Sequence, residues 1–304
     1  MDKIPASFVE YTDLLPSLKE TTSWELLRQW SLSEVWRVGK QGGDSLIIKK
    51  GIEENSREVA VYNHVLIPLE LDIPTIYEAY EDKAIGLLIM RDLKGKTLEH
   101  DPQHKYFVEA AKTLAKTRNK ARLGIIEGKL TEESYLANYV SKEDIIDDLK
   151  YISQQSEYID TGQDVVLEKA LNVLPYQVGQ LYENFPITLT HNDYHAKNII
   201  KNNGGIAVID WASAYLSPHL GDLYCLISSA KDYDITPTDL IYAYWEEIDD
   251  DWSCDMEWQI NIGGICWIIH ELRQLLDYGI KAIPVAHEWI PEMIYDIRQL
   301  LGDL

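Results

Sequence analysis

The first ninety or so residues carry the alternation of apolar and polar positions that strands require. Residues 34–38 (EVWRV) alternate, 40–44 (KQGGD) form a glycine turn, and 45–50 (SLIIKK) resume the pattern, which predicts a hairpin. Residues 55–67 (NSREVAVYNHVLI) switch to a helical spacing, with Asn55 or Ser56 as the cap. Residues 75–82 (TIYEAYED) and 84–93 (AIGLLIMRDL) predict a second hairpin. After LKGKTL the character changes. Residues 105–185 and 236–303 are almost wholly compatible with helix, and a short β region lies between them. The pattern predicts an α+β chain: a small β-rich lobe over 1–93, joined to a larger helical lobe over 94–304.

Composition adds limits. The chain has 304 residues, enough for one large or two ordinary domains, and 46% of them are hydrophobic. Against 28 basic residues stand 50 acidic ones, a net charge of −22. A field of that sign repels nucleic acid and anionic membranes, and it attracts cationic ligands. No basic stretch leads into an apolar core at the start of the chain, so no secretory signal is expected. The apolar run 260–269 is too short to span a bilayer. Three widely spaced cysteines (Cys225, Cys254, Cys266) suit neither a disulfide framework nor a zinc site, and point to free thiols in the cytoplasm.

Chemistry concentrates in LTHNDYHAKNII, residues 189–200, where polar side chains crowd between apolar flanks. His191, Asp193 and Asn198 stand in the spacing H-x-D-x-x-x-x-N of phosphoryl-transfer catalytic loops. The residues that follow read as a hairpin: Ile199–Lys201, a turn at 202–205, and Ile206–Asp210. Folding about that turn sets Asn198 opposite Ile209, beside Asp210. An amide and a carboxylate then converge at the hairpin's open end, a pair suited to Mg²⁺ shared with phosphate oxygens. Asp193 lies close by, placed to accept a proton from an attacking hydroxyl. A zinc site on His191 and His195 lacks a third ligand at ordinary spacing.

Phosphoryl transfer also needs a lysine on the nucleotide phosphates, held by a glutamate. Lys49 ends the apolar strand, and Glu58 shares a helix face with Tyr62 and Val65. A carboxylate on an apolar stripe needs a partner, and Lys49 is the natural one. Lys50 points to the other face and takes the role if the register is off by one. The competing reading of Glu58 is a solvated helix start.

These residues resemble the aminoglycoside phosphotransferase and choline kinase-like family of small-molecule kinases. The family loop H-G-D-x-H-x-x-N is matched by His191-Asn192-Asp193-Tyr194-His195-Ala196-Lys197-Asn198, and its I-D-W by Ile209-Asp210-Trp211. Asp222-Leu223 matches a later aspartate-leucine pair, and REVAVYNHVL and LLIMRDL match the helix-glutamate and hinge segments. The resemblance covers most of 30–230. It implies a two-lobed protein-kinase-like fold with ATP or GTP between the lobes, near Met90, Asp92 and Leu93. It implies Mg²⁺, and transfer of the γ-phosphate to a hydroxyl of a small molecule. It gives the base role to Asp193 in a loop that includes His191, the metal to Asn198 and Asp210, the phosphates to Lys49 paired with Glu58, and a structural role to Asp222.

The chain departs from that pattern in places. Asn192 replaces a glycine, Arg91 stands where the hinge is often acidic, and the helix around Arg118 lacks a histidine often found there. The nucleotide loop has no glycine array, which leaves backbone amides and the hydroxyls of Ser31 and Ser33 for the phosphates. Two other function classes stay open: a kinase-like scaffold without turnover, and an atypical protein kinase. Against the latter, His195 occupies the position of the usual loop lysine. Finally, 244–258 interleaves Trp245, Trp252 and Trp258 with seven acids, including Asp250 and Asp251. Such a stretch suits a cationic acceptor, an amino-alcohol or aminoglycoside, or else is a solvated helix end.

Overall fold

A computed structural model describes residues 3–30, 32–155, 157–249, 255–302 and 304. A short helix α1 (Ala6–Val9) precedes strands β1 (Thr21–Gln29), β2 (Ser33–Lys40) and β3 (Ser45–Ile52). Helix α2 (Glu58–Val61) and strands β4 (Ile76–Glu81) and β5 (Ile85–Arg91) follow. The five strands form one antiparallel sheet in the order β1-β2-β3-β5-β4.

Alternation divides that sheet between two cores. Leu46, Ile48, Leu87 and Ile89 face outward against Phe8, Tyr11, Leu15 and Leu18 of the N-terminal segment. Ile47, Leu88 and Met90 face inward with Val59, Tyr62 and Val65. Lys50 lies on the outer face, its Nζ donating to the Ser7 carbonyl (2.9 Å) over the rings of Tyr11 and Phe8. Lys49 is left on the inner face.

The helix expected over 55–67 is less regular than its spacing suggests. It opens with a 3-10 turn (Glu53–Arg57), continues as α2, and closes in a π turn (Tyr62–Leu66). Asn55 and Ser56 therefore sit inside the first turn and cap nothing, and the Ser56 hydroxyl bonds back to the Glu53 carbonyl. This turn crosses the sheet at glycines. A Cβ on Gly51 would lie 2.2 Å from the Asn55 carbonyl oxygen, and one on Gly86 2.3 Å from that of Ser56. Such close approach sets Glu58 above Lys49.

Beyond β6 (Lys96–Thr97) come the helices α3 (His104–Ile126), α4 (Glu132–Asn138), α5 (Lys142–Ser153) and α6 (Thr161–Asn184). Ser141 and Asp160 start α5 and α6 through reciprocal capping boxes, so loops interrupt what the sequence pattern shows as continuous helix. Strands β7 (Thr188–Thr190), β8 (Ile199–Asn202), β9 (Gly205–Val208) and β10 (Tyr215–Ser217) make two small sheets, β10-β7 and β6-β8-β9. Helices α7 (Gly221–Lys231), α8 (Pro237–Trp245), α9 (Met256–Gln274), α10 (Ile280–Ala282) and α11 (Ile290–Gly302) complete the helical part. Helix α9 rides directly on the start of α7, because a Cβ on Gly263 would meet the backbone of Leu220 and Gly221 within 2.7 Å. Cys225 and Cys266 are free and buried. Among the described residues no helix is long and apolar enough to cross a membrane.

Candidate active site

The hairpin β8–β9 forms in the register its turn dictates: Ile199 pairs with Val208, and the Ile209 amide donates to the Asn198 carbonyl at 2.9 Å. Asp210 follows in the left-handed region, φ +68°, as does Asn192, φ +64°. Non-glycine residues hold such backbone only where neighbours fix it. Asp222, fully buried in the first turn of α7, accepts from the amides of His191 (2.7 Å) and Asn192 (2.8 Å). The His191 ring accepts from the Asp193 amide at Nδ1 (3.1 Å) and donates from Nε2 to the Ile209 carbonyl (3.0 Å). Both ring nitrogens are thus engaged, so His191 ties the loop to the hairpin and offers nothing to a zinc ion. Burial pushes its pKa below the ordinary value and keeps the ring neutral.

Asp193 stands at the loop's centre. His195 Nε2 lies 2.7 Å from its Oδ1, and the Asn198 amide donates to its Oδ2 at 2.7 Å. Burial alone would raise this carboxyl, but His195, His191 and the Asn198 bond outweigh it and hold the pKa below the usual carboxylate range. Glu271 on α9 behaves in the opposite way. Burial, then the charge of Asp193, pushes it up to about 8. One carboxylate ionised beside one carboxyl kept neutral is the separation that acid–base chemistry exploits.

Above the loop, Lys49 Nζ lies 2.6 Å from Glu58 Oε2 and 2.6 Å from Asp210 Oδ1. Glu58 also accepts from the Trp211 amide (3.0 Å), so it anchors the chain just past Asp210. Burial disfavours the Lys49 charge, but Asp210 and then Glu58 more than offset it and keep the ammonium protonated. The structure therefore brings Lys49, Glu58 and Asp210 into one cluster, and Asp193, His195 and Asn198 into a second. The hairpin joins them.

Asn198 supplies a test of whether a divalent cation fits there. Its amide nitrogen serves Asp193, while its Oδ1 is buried without a hydrogen-bond partner. A buried carbonyl-type oxygen left unpaired beside a carboxylate is costly unless something electropositive binds it. Asn198 and Asp210 are oxygen donors of the kind magnesium takes.

At the hinge, Met90 is buried between Ile47 and Ile76 on the inner face. The Asp92 carboxylate is occupied by the Ser45 hydroxyl (2.6 Å), Arg37 Nε (2.9 Å) and the Lys94 amide (3.1 Å), and closes the hinge on the sheet. The Leu93 carbonyl accepts from Asn202 (3.4 Å). A cavity of about 880 Å³ opens here, lined by Ser45, Asp92, Leu93, Asn202 and Ile206 among others. Ser33 begins β2 opposite Gly51. Ser31 lies outside the described residues, as do Asp250, Asp251 and Trp252.

Three acids of the 244–258 stretch are engaged elsewhere. Glu246 and Glu247 pair with Lys112 and Lys116, and Asp249 with Arg122, all on α3. Three contributors carried no local signal in the sequence. Glu271 is a lone acid at the end of an apolar helix. Asn192 accepts from the Tyr215 hydroxyl (3.0 Å) and donates to Glu271 (3.4 Å). Arg118, fully buried on α3, donates to the carbonyls of Leu189, Pro218 and His219 and so pins the strand before the loop.

A β lobe above a helical lobe, with a lysine–glutamate pair over an aspartate-bearing loop, defines the kinase-like class of phosphotransferases. The chain belongs to the phosphotransferase enzyme family, whose model matches residues 35–258. Among solved structures, a choline/ethanolamine kinase family protein from Mesorhizobium loti is similar at 15% identity, over 98% of this chain and 95% of that one, with a TM-score of 0.65. Amicoumacin kinase hAmiN, solved with AMP-PNP, Ca²⁺ and Ami, is similar at 13% identity over 100% and 96% of the two chains, TM-score 0.64. The ADP-bound aminoglycoside phosphotransferase APH(2'')-Ib is similar at 16% identity over 96% of each chain, TM-score 0.61. No curated protein sequence matches the chain.

Proposed function

We propose that this phosphotransferase moves the γ-phosphate of ATP or GTP to a hydroxyl of a small, positively charged acceptor, an amino-alcohol or aminoglycoside. The observation that carries the reading is the Asn198 side chain, whose nitrogen orients Asp193 while its oxygen waits buried and unpaired. Residues 1–93 then act as the nucleotide lobe and 94–304 as the lobe of the catalytic loop and acceptor. Met90, Asp92 and Leu93 border the nucleotide base, and Ser33 faces the phosphates, a role the sequence also offers to Ser31.

Asp193 is the base. His195 and Asn198 fix its carboxylate on two sides, which points its remaining lone pairs and keeps it ionised to take the acceptor's hydroxyl proton. Lys49 leaves Asp210 for the phosphates while Glu58 retains it from behind. Asn198 and Asp210 would hold Mg²⁺, which when bound neutralises the charge of the transferring phosphoryl group. The cationic acceptor is supported by the ionised Asp193 at the loop's centre and by the net charge of −22. A full set of positioned groups argues against a scaffold without turnover.

The test is a phosphorylation screen of the purified chain with Mg²⁺ and labelled ATP or GTP against amino-alcohols, aminoglycosides and neutral sugars. Transfer to a cationic hydroxyl compound, abolished by EDTA, is expected. Transfer only to neutral sugars removes the cationic acceptor, and no metal-dependent nucleotide binding at all removes the whole reading.

A further inference from the structure

Strand β1 carries a cation that its sequence alone would place on the wrong side of the sheet. Leu26 pairs with Trp36, which continues across the sheet to Ile48 and Ile89 on the outer face. Unbroken pairing would then set Arg28 against Glu34, in the row that leads to Lys50. The register slips instead, and Arg28 lies opposite Val35, whose own partner is Lys49. One extra residue, Leu27, is accommodated as a bulge, and Glu25, Leu26 and Leu27 are all exposed in succession. Bulges re-aim side chains in this way. The consequence is a row of Arg28, Val35 and Lys49 on the cleft face.

Arg28 uses that position. Its guanidinium approaches Asp210 Oδ2 at 3.8 Å while Lys49 holds Oδ1 at 2.6 Å. The group also lies 5.1 Å from the centre of the Trp30 ring, within cation–π range. Two cations, from β1 and β3 on either side of β2, thus converge on the two oxygens of one carboxylate.

We propose that Arg28 is a phosphate-binding residue of the nucleotide site, presented from the cleft roof by the β1 bulge and directed at the terminal phosphates of a nucleoside triphosphate. The proposal rests on the nucleotide-dependent reading above. A planar guanidinium matches two phosphate oxygens, whereas an ammonium offers a point charge. In a chain of net charge −22, a polyanionic ligand needs local cations to offset long-range repulsion. Asp210 oxygens engaged by a divalent cation release the guanidinium towards the phosphates.

Calorimetric titration of the full chain with Mg²⁺ and AMP-PNP or GMP-PNP, beside the parent nucleosides, tests this. Arg28→Gln should weaken the better triphosphate analogue by roughly 10- to 100-fold and change nucleoside affinity less than about twofold, with Arg28→Lys intermediate. Lys49→Ala is the reference. If Lys49→Ala loses the analogue while Arg28→Gln binds it within about twofold of the parent, Arg28 is a surface partner of Asp210 and the proposal falls alone. If the parent binds neither analogue, or Lys49→Ala binds as the parent does, the underlying nucleotide reading falls and takes this one with it. An unchanged far-ultraviolet spectrum and melting temperature for Arg28→Gln shows that folding is not the cause.

Discussion

Replacing Glu271 by glutamine should make the protein more stable in alkali and leave it unchanged in mild acid. The folded chain holds this carboxyl at about 8, against an ordinary 4.5. Between those values only the folded state binds the proton, so stability falls as pH rises, by about 1.4 kcal/mol per pH unit. Below 4.5 both states are protonated, and above 8 both are ionised and the loss is complete. The whole interval corresponds to about 4–5 kcal/mol. Glu271 is only half-buried, and solvent screening reduces the expected loss to about 2–4 kcal/mol. Glutamine stays neutral throughout and keeps an oxygen for the Asn192 amide. Urea denaturation of both proteins from about pH 4 to pH 9 should therefore give a stability difference near zero at the acid end that grows in favour of Glu271→Gln up to about pH 8 and is level beyond it. His219, depressed to about 3, and His270, to about 4, lose stability as pH falls below their ordinary 6.5, the opposite sign, and cancel in the difference. Asp193 is the second cause of the shift, so repeating the pair on an Asp193→Asn background should shrink the difference. A flat difference curve over the whole range would refute the placement of Glu271 beside the base.

Asp193→Asn should lower turnover by about 10²–10⁴-fold and leave nucleotide affinity nearly intact, read by steady-state kinetics and calorimetry; near-normal turnover removes the base assignment. Asp210→Ala should abolish the Mg²⁺ dependence of nucleotide binding, and a nucleotide-bound structure with the metal held by other residues would contradict the hairpin argument. Glu58→Ala leaves Lys49 with Asp210 alone and frees the Trp211 amide, so nucleotide affinity and melting temperature should both drop. A variant that loses neither shows the buried pair to be idle. Affinity for a cationic acceptor should weaken as ionic strength rises, and an affinity indifferent to salt would point to a neutral acceptor.

What could be read from the sequence was what short-range rules govern. The turn at 202–205 fixes the register of its hairpin, so the pairing of Asn198 with Ile209 followed from counting. Period-two alternation on β3 fixed which lysine faces inward. Arg28 was missed because the bulge at Leu27 erases that same period on β1, and nothing local announces a bulge. The irregular helix at 53–66 was missed because its 3-10 opening depends on glycines in two separate strands, Gly51 and Gly86. Glu271 and Asn192 meet across 79 residues, a distance no periodic pattern reports. Whether the acids at 246–249 face an acceptor or solvent stayed open in the sequence, because charge and aromatic content say nothing of which cations on α3 lie opposite.

Arg118 gives the molecule an order of manufacture. The carbonyls that receive its guanidinium come from residues 71 to 101 positions further along the chain. A ribosome adding about 5–20 residues per second needs roughly 5–20 s to supply them. Until then the cation must stay in water and the middle of α3 cannot be sealed. The β sheet, whose strands all precede residue 92, has no such wait. A nascent chain halted before residue 219 should thus carry a finished upper lobe above an open lower one.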